Sequence, residues 1–233
     1  MAYVFAVPPQ AVVPVVGTTD LFPVHRIYCV GRNYADHAKE MGFSGREPPF
    51  FFAKPADAAV PIAAGSVGTL PFPDETGDLH HEIELVVAIG RGARRVEPAA
   101  AAACIWGYAV GIDLTRRDLQ GEMKKQGRPW EIGKAFDRAA PISPIRPLAA
   151  GSAPLTAGRI WLSVNGQVRQ DGDLAQMIWN VDETIAHLSR YFELVPGDLI
   201  FTGTPAGVAA LARGDRIDGG VDGIGQIALA LGA

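Results

Sequence analysis

His80-His81-Glu82-Ile83-Glu84-Leu85-Val86-Val87-Ala88-Ile89-Gly90 is the stretch around which this chain is organised. Its Val and Ile content and its closing glycine read as a β-strand, yet it opens with two carboxylates. Successive side chains of a strand alternate between faces, so Glu82 and Glu84 share one face, about 7 Å apart along the chain. Two like charges converging on one spot are unfavourable unless something positive sits between them. The hard, oxygen-seeking cations Mg²⁺, Mn²⁺ and Ca²⁺ suit such a pair. Taken alone, the stretch also fits an exposed strand end with two solvated acids, so the rest of the chain has to decide. His80 falls on the same face by the alternation rule, which makes it a candidate ligand for a transition metal.

Working outward, composition narrows the classes. Hydrophobic residues at 48% and charged residues at 20% describe a globular chain, and 27 Gly with 18 Pro favour many turns and therefore many strands. A net charge of −4 with scattered Lys and Arg provides no basic footprint for nucleic acid or an anionic membrane, which points to a small-molecule partner. Cys29 and Cys104 lie in apolar runs and read as buried, reduced thiols. The N-terminus has no basic residue before its apolar stretch and is broken by Pro8, Pro9 and Pro14, unlike a signal peptide or membrane span. A cytoplasmic location is expected.

Residues 1–23 read as an extended lead-in, with a hairpin covering one end of the core, and residues 24–233 as a single catalytic domain. After a strand over 24–30, Gly31-Arg32-Asn33-Tyr34 turns into a short polar helix over 35–41 that carries His37 and Glu40 on one face. With the Gly- and Pro-bearing loop that follows, it has the character of a lid. Phe50-Phe51-Phe52-Ala53-Lys54-Pro55 is a strand closed by proline, and a strand over 106–112 delivers Asp113. A helix-permissive segment over 114–125 carries Arg117 and Gln120. Asn165-Gly166 signals a hairpin, and Asn180 or Asp182 caps a helix with an apolar stripe of Val181, Ile185, Leu188 and Phe192. His187 on that helix reads as a surface residue. The stretch from Asp218 to Gly225 lacks the ligand spacing and closing Glu of a calcium loop.

Several of these pieces, taken in order, resemble the fumarylacetoacetate hydrolase family over residues 24–231. They are Gly31-Arg32-Asn33-Tyr34 with His37 and Glu40, Glu82-x-Glu84, Gly111-x-Asp113, Lys134, and Phe201-Thr202-Gly203-Thr204-Pro205 with Gly207-Val208. The resemblance implies an α+β fold, mainly β, with mixed twisted sheets rolled around the active site and a short lid helix. It implies Glu82, Glu84 and Asp113 as ligands of Mg²⁺ or Mn²⁺, His37 and Glu40 as the lid dyad, and Lys134 as the lysine that activates substrate. Arg117 and Gln120 match the family's substrate contacts, and a homodimer is implied. Within the family the chain looks most like fumarylpyruvate hydrolases and other acylpyruvases of aromatic-compound catabolism.

Residue chemistry runs the same way. Three carboxylates leave open positions on an octahedral ion, suited to two neighbouring oxygens of a 2-oxo acid. Breaking the C–C bond of a β-diketo acid also needs a nucleophile. The chain has no serine elbow, so water must be activated, and His37 polarised by Glu40 is the candidate base. Thr204 and the Gly203 backbone are candidates for holding a substrate carboxylate or oxyanion, while Arg32 and Lys54 read equally as substrate contacts or structural cations. Alternatives within the family are decarboxylation of oxaloacetate-like acids and isomerisation or decarboxylation of unsaturated diacids. A non-catalytic metal-binding domain is a more remote one.

Overall fold

The computed structural model describes residues 3–36, 46–149 and 152–232. At its centre, the strand Ile83–Ile89 is buried along its whole length. Leu85, Val87 and Ile89 enter one core and Val86 and Ala88 another, so the sheet is covered on both faces and the apolar run is continuous rather than alternating. Antiparallel pairing with Ile105–Ile112 places Glu84 opposite Gly111. A side chain at Gly111 would collide with the Phe201 ring, 2.4 Å from an ideal Cβ.

The large sheet runs in the order Phe50–Lys54, Ile27–Gly31, Leu199–Phe201, Ile83–Ile89, Ile105–Ile112, Ala140–Ile142 and Ala59–Pro61. Arg146–Pro147 also pairs with Ile105–Ile112. Leu199–Phe201 is parallel to Ile27–Gly31 and antiparallel to Ile83–Ile89, so the sheet is mixed. A second sheet orders Gln167–Asp173, Arg159–Val164, Arg216–Val221, Gly225–Leu231 and Gly68–Leu70. The larger core lies between the two, with Leu85 and Ile112 in the same cluster as Leu162, Ile217 and Leu229. Mixed, curled sheets with few helices are the architecture expected from the sequence.

Local expectations fare unevenly. Asn165 and Gly166 both take positive φ, 51° and 78°, as a tight hairpin turn requires. Asn180 caps helix Val181–Tyr191, and its side chain and that of Glu183 reciprocally accept each other's backbone N–H. Phe192 departs from the expected stripe: it is the C-cap residue, 41% exposed, with its ring 4.9 Å from that of Tyr28. His187 is half-buried against Trp179. The hairpin Val12–Pro14 with Leu21–Pro23 sends Val13 and Phe22 into the second core. Both cysteines are buried and free.

The largest correction falls on the opening stretch itself, which is not one strand. Leu79–His80 belongs to a small sheet with Thr115–Arg116 and Ala210–Leu211, and the central strand begins only at Ile83. Glu82 therefore sits at the bend between two sheets. Its carbonyl accepts from the Asp113 backbone N–H at 2.8 Å, so the two acidic residues are tied through the backbone.

Candidate metal centre and cleft

Glu82 at the bend, Glu84 on the central strand and Asp113 after its neighbour bring carboxylate oxygens within 4.8 Å of one another, all three buried. Such a group needs compensation. Lys134 Nζ, itself buried, donates to Glu82 Oε2 at 2.9 Å and to Asp113 Oδ2 at 2.7 Å. Lys54 Nζ lies 2.8 Å from Asp113 Oδ1, and Arg117 Nη2 pairs closely with Glu82 Oε1. Among the described residues no cation touches Glu84. It accepts only the Gly203 backbone N–H, at 2.7 Å.

The charges respond accordingly. Burial raises the Glu84 carboxyl well above the ordinary range, and Asp113 and Glu82 push it further up. Burial alone would lower the Lys134 ammonium, but Asp113 and Glu82 outweigh it and hold Lys134 above the usual lysine value. A buried carboxylate with two acidic neighbours and, among the described residues, no cation of its own is what a divalent ion would neutralise. An all-oxygen donor set of this kind fits Mg²⁺ or Mn²⁺.

Lys134 comes from the short helix Glu131–Lys134, while Arg117 and Gln120 come from the first turn of helix Arg117–Gln126. Gly133 lies against Gln120 so tightly that a Cβ there would meet the Gln120 backbone nitrogen at 2.8 Å. Arg117 Nη1 donates to Gln120 Oε1 at 3.2 Å, leaving the buried Gln120 Nε2 without a partner among the described residues. Arg32, Glu82, Glu84, Gln120, Lys134 and Thr204 line one cleft, walled on one side by Phe50, Phe52 and Trp130. About 30 Å³ of free volume there suits an ion or a water.

The remaining candidates divide. His80 is turned away from the carboxylates, its Nε2 2.8 Å from Asp78 Oδ1 and its Nδ1 accepting from Arg117 Nε. Lys54, which the sequence left open as a substrate contact, is 2% exposed and held by Asp113 and by the carbonyls of Leu114 and Lys134. The Thr204 hydroxyl donates to the Ile83 carbonyl at 2.8 Å, so its proton is committed to the sheet. Gly203 takes φ +97° and directs its N–H at Glu84. His37 and Glu40 lie outside the described residues.

Gln170 is the site-supporting residue that sequence reading missed. It is fully buried in an otherwise largely exposed strand, so nothing in the pattern marks it. Its Nε2 donates to Thr204 Oγ1 at 2.7 Å and to the Pro205 carbonyl at 2.8 Å, and its Oε1 accepts from the Ile83 N–H at 3.1 Å. A carbonyl cannot donate, which fixes the amide orientation. Oε1 therefore faces His81 Nδ1 at 2.9 Å, and that nitrogen must carry the proton. Burial holds the His81 ring down to about 4, so it is neutral. One amide thus ties the start of the central strand to the Gly203-Thr204-Pro205 loop.

Comparisons with known proteins agree on the scaffold. Residues 26–231 match the family described as Fumarylacetoacetate (FAA) hydrolase C-terminal. The crystal structure of fumarylpyruvate hydrolase from Pseudomonas aeruginosa in complex with Mn²⁺ and pyruvate shares 53% identity and a TM-score of 0.96, covering 99% of each chain. Fumarylpyruvate hydrolase of Ralstonia sp is 44% identical over 186 residues, 80% of this chain and 94% of its own length. Oxaloacetate tautomerase YcgM of Escherichia coli (strain K12) is 43% identical over 202 residues, 87% of this chain and 90% of its own length. The relatives carry two different activities in their names, fumarylpyruvate hydrolase and oxaloacetate tautomerase.

Proposed function

The chain belongs to the fumarylacetoacetate hydrolase C-terminal family, and from that premise we propose that it hydrolyses a C–C bond in a β-diketo acid. The substrate is fumarylpyruvate or a related acylpyruvate, and the products are pyruvate and a carboxylic acid. The observation that carries the reading is the buried carboxylate trio in which Glu84 has no cation among the described residues while Lys134 bridges the other two. Glu82, Glu84 and Asp113 hold Mg²⁺ or Mn²⁺. When bound, the ion supplies Lewis acidity toward the two oxygens of a 2-oxo acid.

The chain's own groups do the rest. Gln120 lines the cleft, and its buried Nε2, without a partner among the described residues, donates to a substrate oxygen. His37, polarised by Glu40, takes a proton from water, whose oxygen attacks the carbonyl distal to the 2-oxo acid end. The C–C bond breaks with its electron pair passing to the pyruvate fragment as an enolate, which Lys134 stabilises and which is then protonated at carbon. Gly203 keeps Glu84 oriented throughout. This enzyme acts as one catalytic domain over residues 24–233 behind its N-terminal lead-in, as a cytoplasmic homodimer serving aromatic-compound catabolism.

A second reading is oxaloacetate chemistry at the same centre, either tautomerisation, which the similarity to the Escherichia coli tautomerase favours, or decarboxylation. These reactions need no attacking water. His37→Ala in the metal-loaded enzyme separates them: acylpyruvate hydrolysis should fall by roughly 10²–10⁴, the usual contribution of a positioned base, while any oxaloacetate decarboxylation falls much less. Equal losses would place the histidine in substrate binding. Full hydrolytic activity after rigorous chelation would remove the metal from the scheme.

A further inference from the structure

We infer that Trp130, backed by Phe50 and Phe52, selects a flat, conjugated acyl arm over a saturated one, and that it expresses this choice through the position of Lys134. The inference rests on the acylpyruvate reading above and narrows its substrate class.

One strand sets the direction of the cleft. Side chains on alternate residues share a face, so Phe50, Phe52 and Lys54 of the strand Phe50–Lys54 form a row with about 7 Å between neighbours. The inner end of the row is fixed, because Lys54 Nζ lies 2.8 Å from Asp113 Oδ1. Phe52 comes next, its ring centroid 5.0 Å from Lys134 Nζ, and Phe50 is outermost. Phe51, on the opposite face, packs toward Tyr191 instead. A 2-oxo acid end held at the carboxylate centre therefore sends its acyl arm along the Phe52 and Phe50 rings, which line the same cleft.

Trp130 spans that row. Its ring meets Phe50 edge-on, with centroids 5.2 Å apart and planes at 86°, and it meets Phe52 at 5.9 Å and 51°. Gly31, paired with Phe50 across the sheet, lets the Phe50 ring lie over the backbone, since a Cβ at Gly31 would fall 1.9 Å from it. Three rings that brace one another hold a fixed surface. A conjugated arm is thin and flat and stacks its π-face on such a wall, whereas a saturated arm of the same length is thicker and has no π-face.

The wall is also joined to the chemistry. The Trp130 carbonyl accepts the backbone N–H groups of Gly133 at 2.8 Å and Lys134 at 2.9 Å, so the tryptophan opens the turn whose last residue is the lysine. That turn is anchored on its other side, where Gly133 lies against the Gln120 backbone. Lys134 Nζ in turn reaches Glu82 and Asp113. An acyl arm that seats Trp130 seats Lys134 with it, and a poor fit is felt at the lysine that stabilises the enolate. Phe50 belongs to the sheet and meets the turn only through its ring. Trp130 therefore governs kcat, and Phe50 mainly KM.

The test uses Mn²⁺-loaded full-length protein and two substrates of equal length and charge, fumarylpyruvate and its saturated counterpart succinylpyruvate. Trp130→Leu should lower kcat on fumarylpyruvate by about 10-fold, the upper worth of an aromatic pair, and on succinylpyruvate by only about 2-fold. Trp130→Met also removes the ring, so a misfolded leucine variant does not end the experiment, and Trp130→Phe should restore most of the loss. Phe50→Leu should raise KM for fumarylpyruvate more than it lowers kcat. Equal losses on the two substrates in the ringless variants, or a fall in kcat as large in Phe50→Leu, overturn the inference. A binding arm titrates phenylpyruvate and 3-cyclohexylpyruvate by calorimetry; the two match in length and charge and lack the second carbonyl that hydrolysis requires. Wild type should bind the flat ring about 2- to 10-fold more tightly, and Trp130→Leu should not. No such preference in wild type overturns the wall. If wild type hydrolyses neither acylpyruvate yet shows the preference and loses it with Trp130, the hydrolase reading fails and the tryptophan's role as selector stands.

Discussion

Lys134→Met removes a charge at similar volume from the most enclosed part of the site, and its consequences can be worked through. Lys134 is 3% exposed and joins Glu82 and Asp113 through bonds of 2.9 and 2.7 Å. Removing one partner from a buried ion pair costs about 3–5 kcal/mol. Asp113 retains Lys54 and Glu82 retains Arg117, which places the loss near the lower end, about 3 kcal/mol. For a chain of this size that is a fall of roughly 6–12 °C in Tm with chelator present. Because the ammonium occupies carboxylate oxygens that a metal ion would use, the variant should bind Mn²⁺ more tightly than wild type. Thermal unfolding with and without saturating Mn²⁺ should then show a larger metal-induced rise for the variant. An equal or smaller rise would mean that Lys134 and the ion do not share the carboxylates, and the picture of the centre would be wrong.

Mn²⁺ affinity should rise with pH by about tenfold per unit wherever Glu84 still holds a proton, because binding must displace it; Glu84→Gln should weaken binding and flatten that slope in calorimetric titrations. His81, its pKa held down by burial to about 4 in the fold against about 6.5 unfolded, contributes stability that is complete above pH 6.5 and lost as pH falls toward 4, by up to about 3 kcal/mol. Urea midpoints compared between pH 7 and 4.5 should drop less in His81→Asn than in wild type, and parallel drops would remove this role. Gln170→Leu strands the Ile83 N–H and the Pro205 carbonyl, each at about 1–3 kcal/mol, so Tm should fall by several degrees. An unchanged melting curve would show that the amide is dispensable.

Much of this could be read without coordinates, for identifiable reasons. The apolar run 85–89 announces a strand whatever its neighbours do, because both its faces are buried. Glu84 followed from strand position, and Asp113 joined it as a ligand through the family resemblance. The bend at Glu82 did not, because a change of sheet partner leaves no trace in alternation. Lys54 before Pro55 looks like a solvated strand end and is instead a buried counter-ion, a difference made entirely by Asp113 arriving 59 positions later. Gln170 was invisible because its three neighbours to the N-terminal side are exposed and its partners come from the turn at His81 and the loop at Thr204. Lys134 was found through the order of family motifs rather than from any property of its own stretch.

The place of Leu199–Phe201 in the large sheet has a consequence for how the molecule is made. This short strand lies between Ile27–Gly31 and Ile83–Ile89, so the two N-terminal strands join the rest of the sheet only through it. On the ribosome, the segment bearing Arg32 and Asn33 emerges early and can pair only with Phe50–Lys54, with no link to the central strand until residue 201 has left the exit tunnel. The carboxylates of Glu84 and Asp113, on adjacent strands, can meet long before that. Gly203, which orients Glu84, arrives with the missing strand. The acidic centre is therefore assembled first and finished last, and the nascent chain holds its first strand pairs apart from the rest of the large sheet for most of its synthesis.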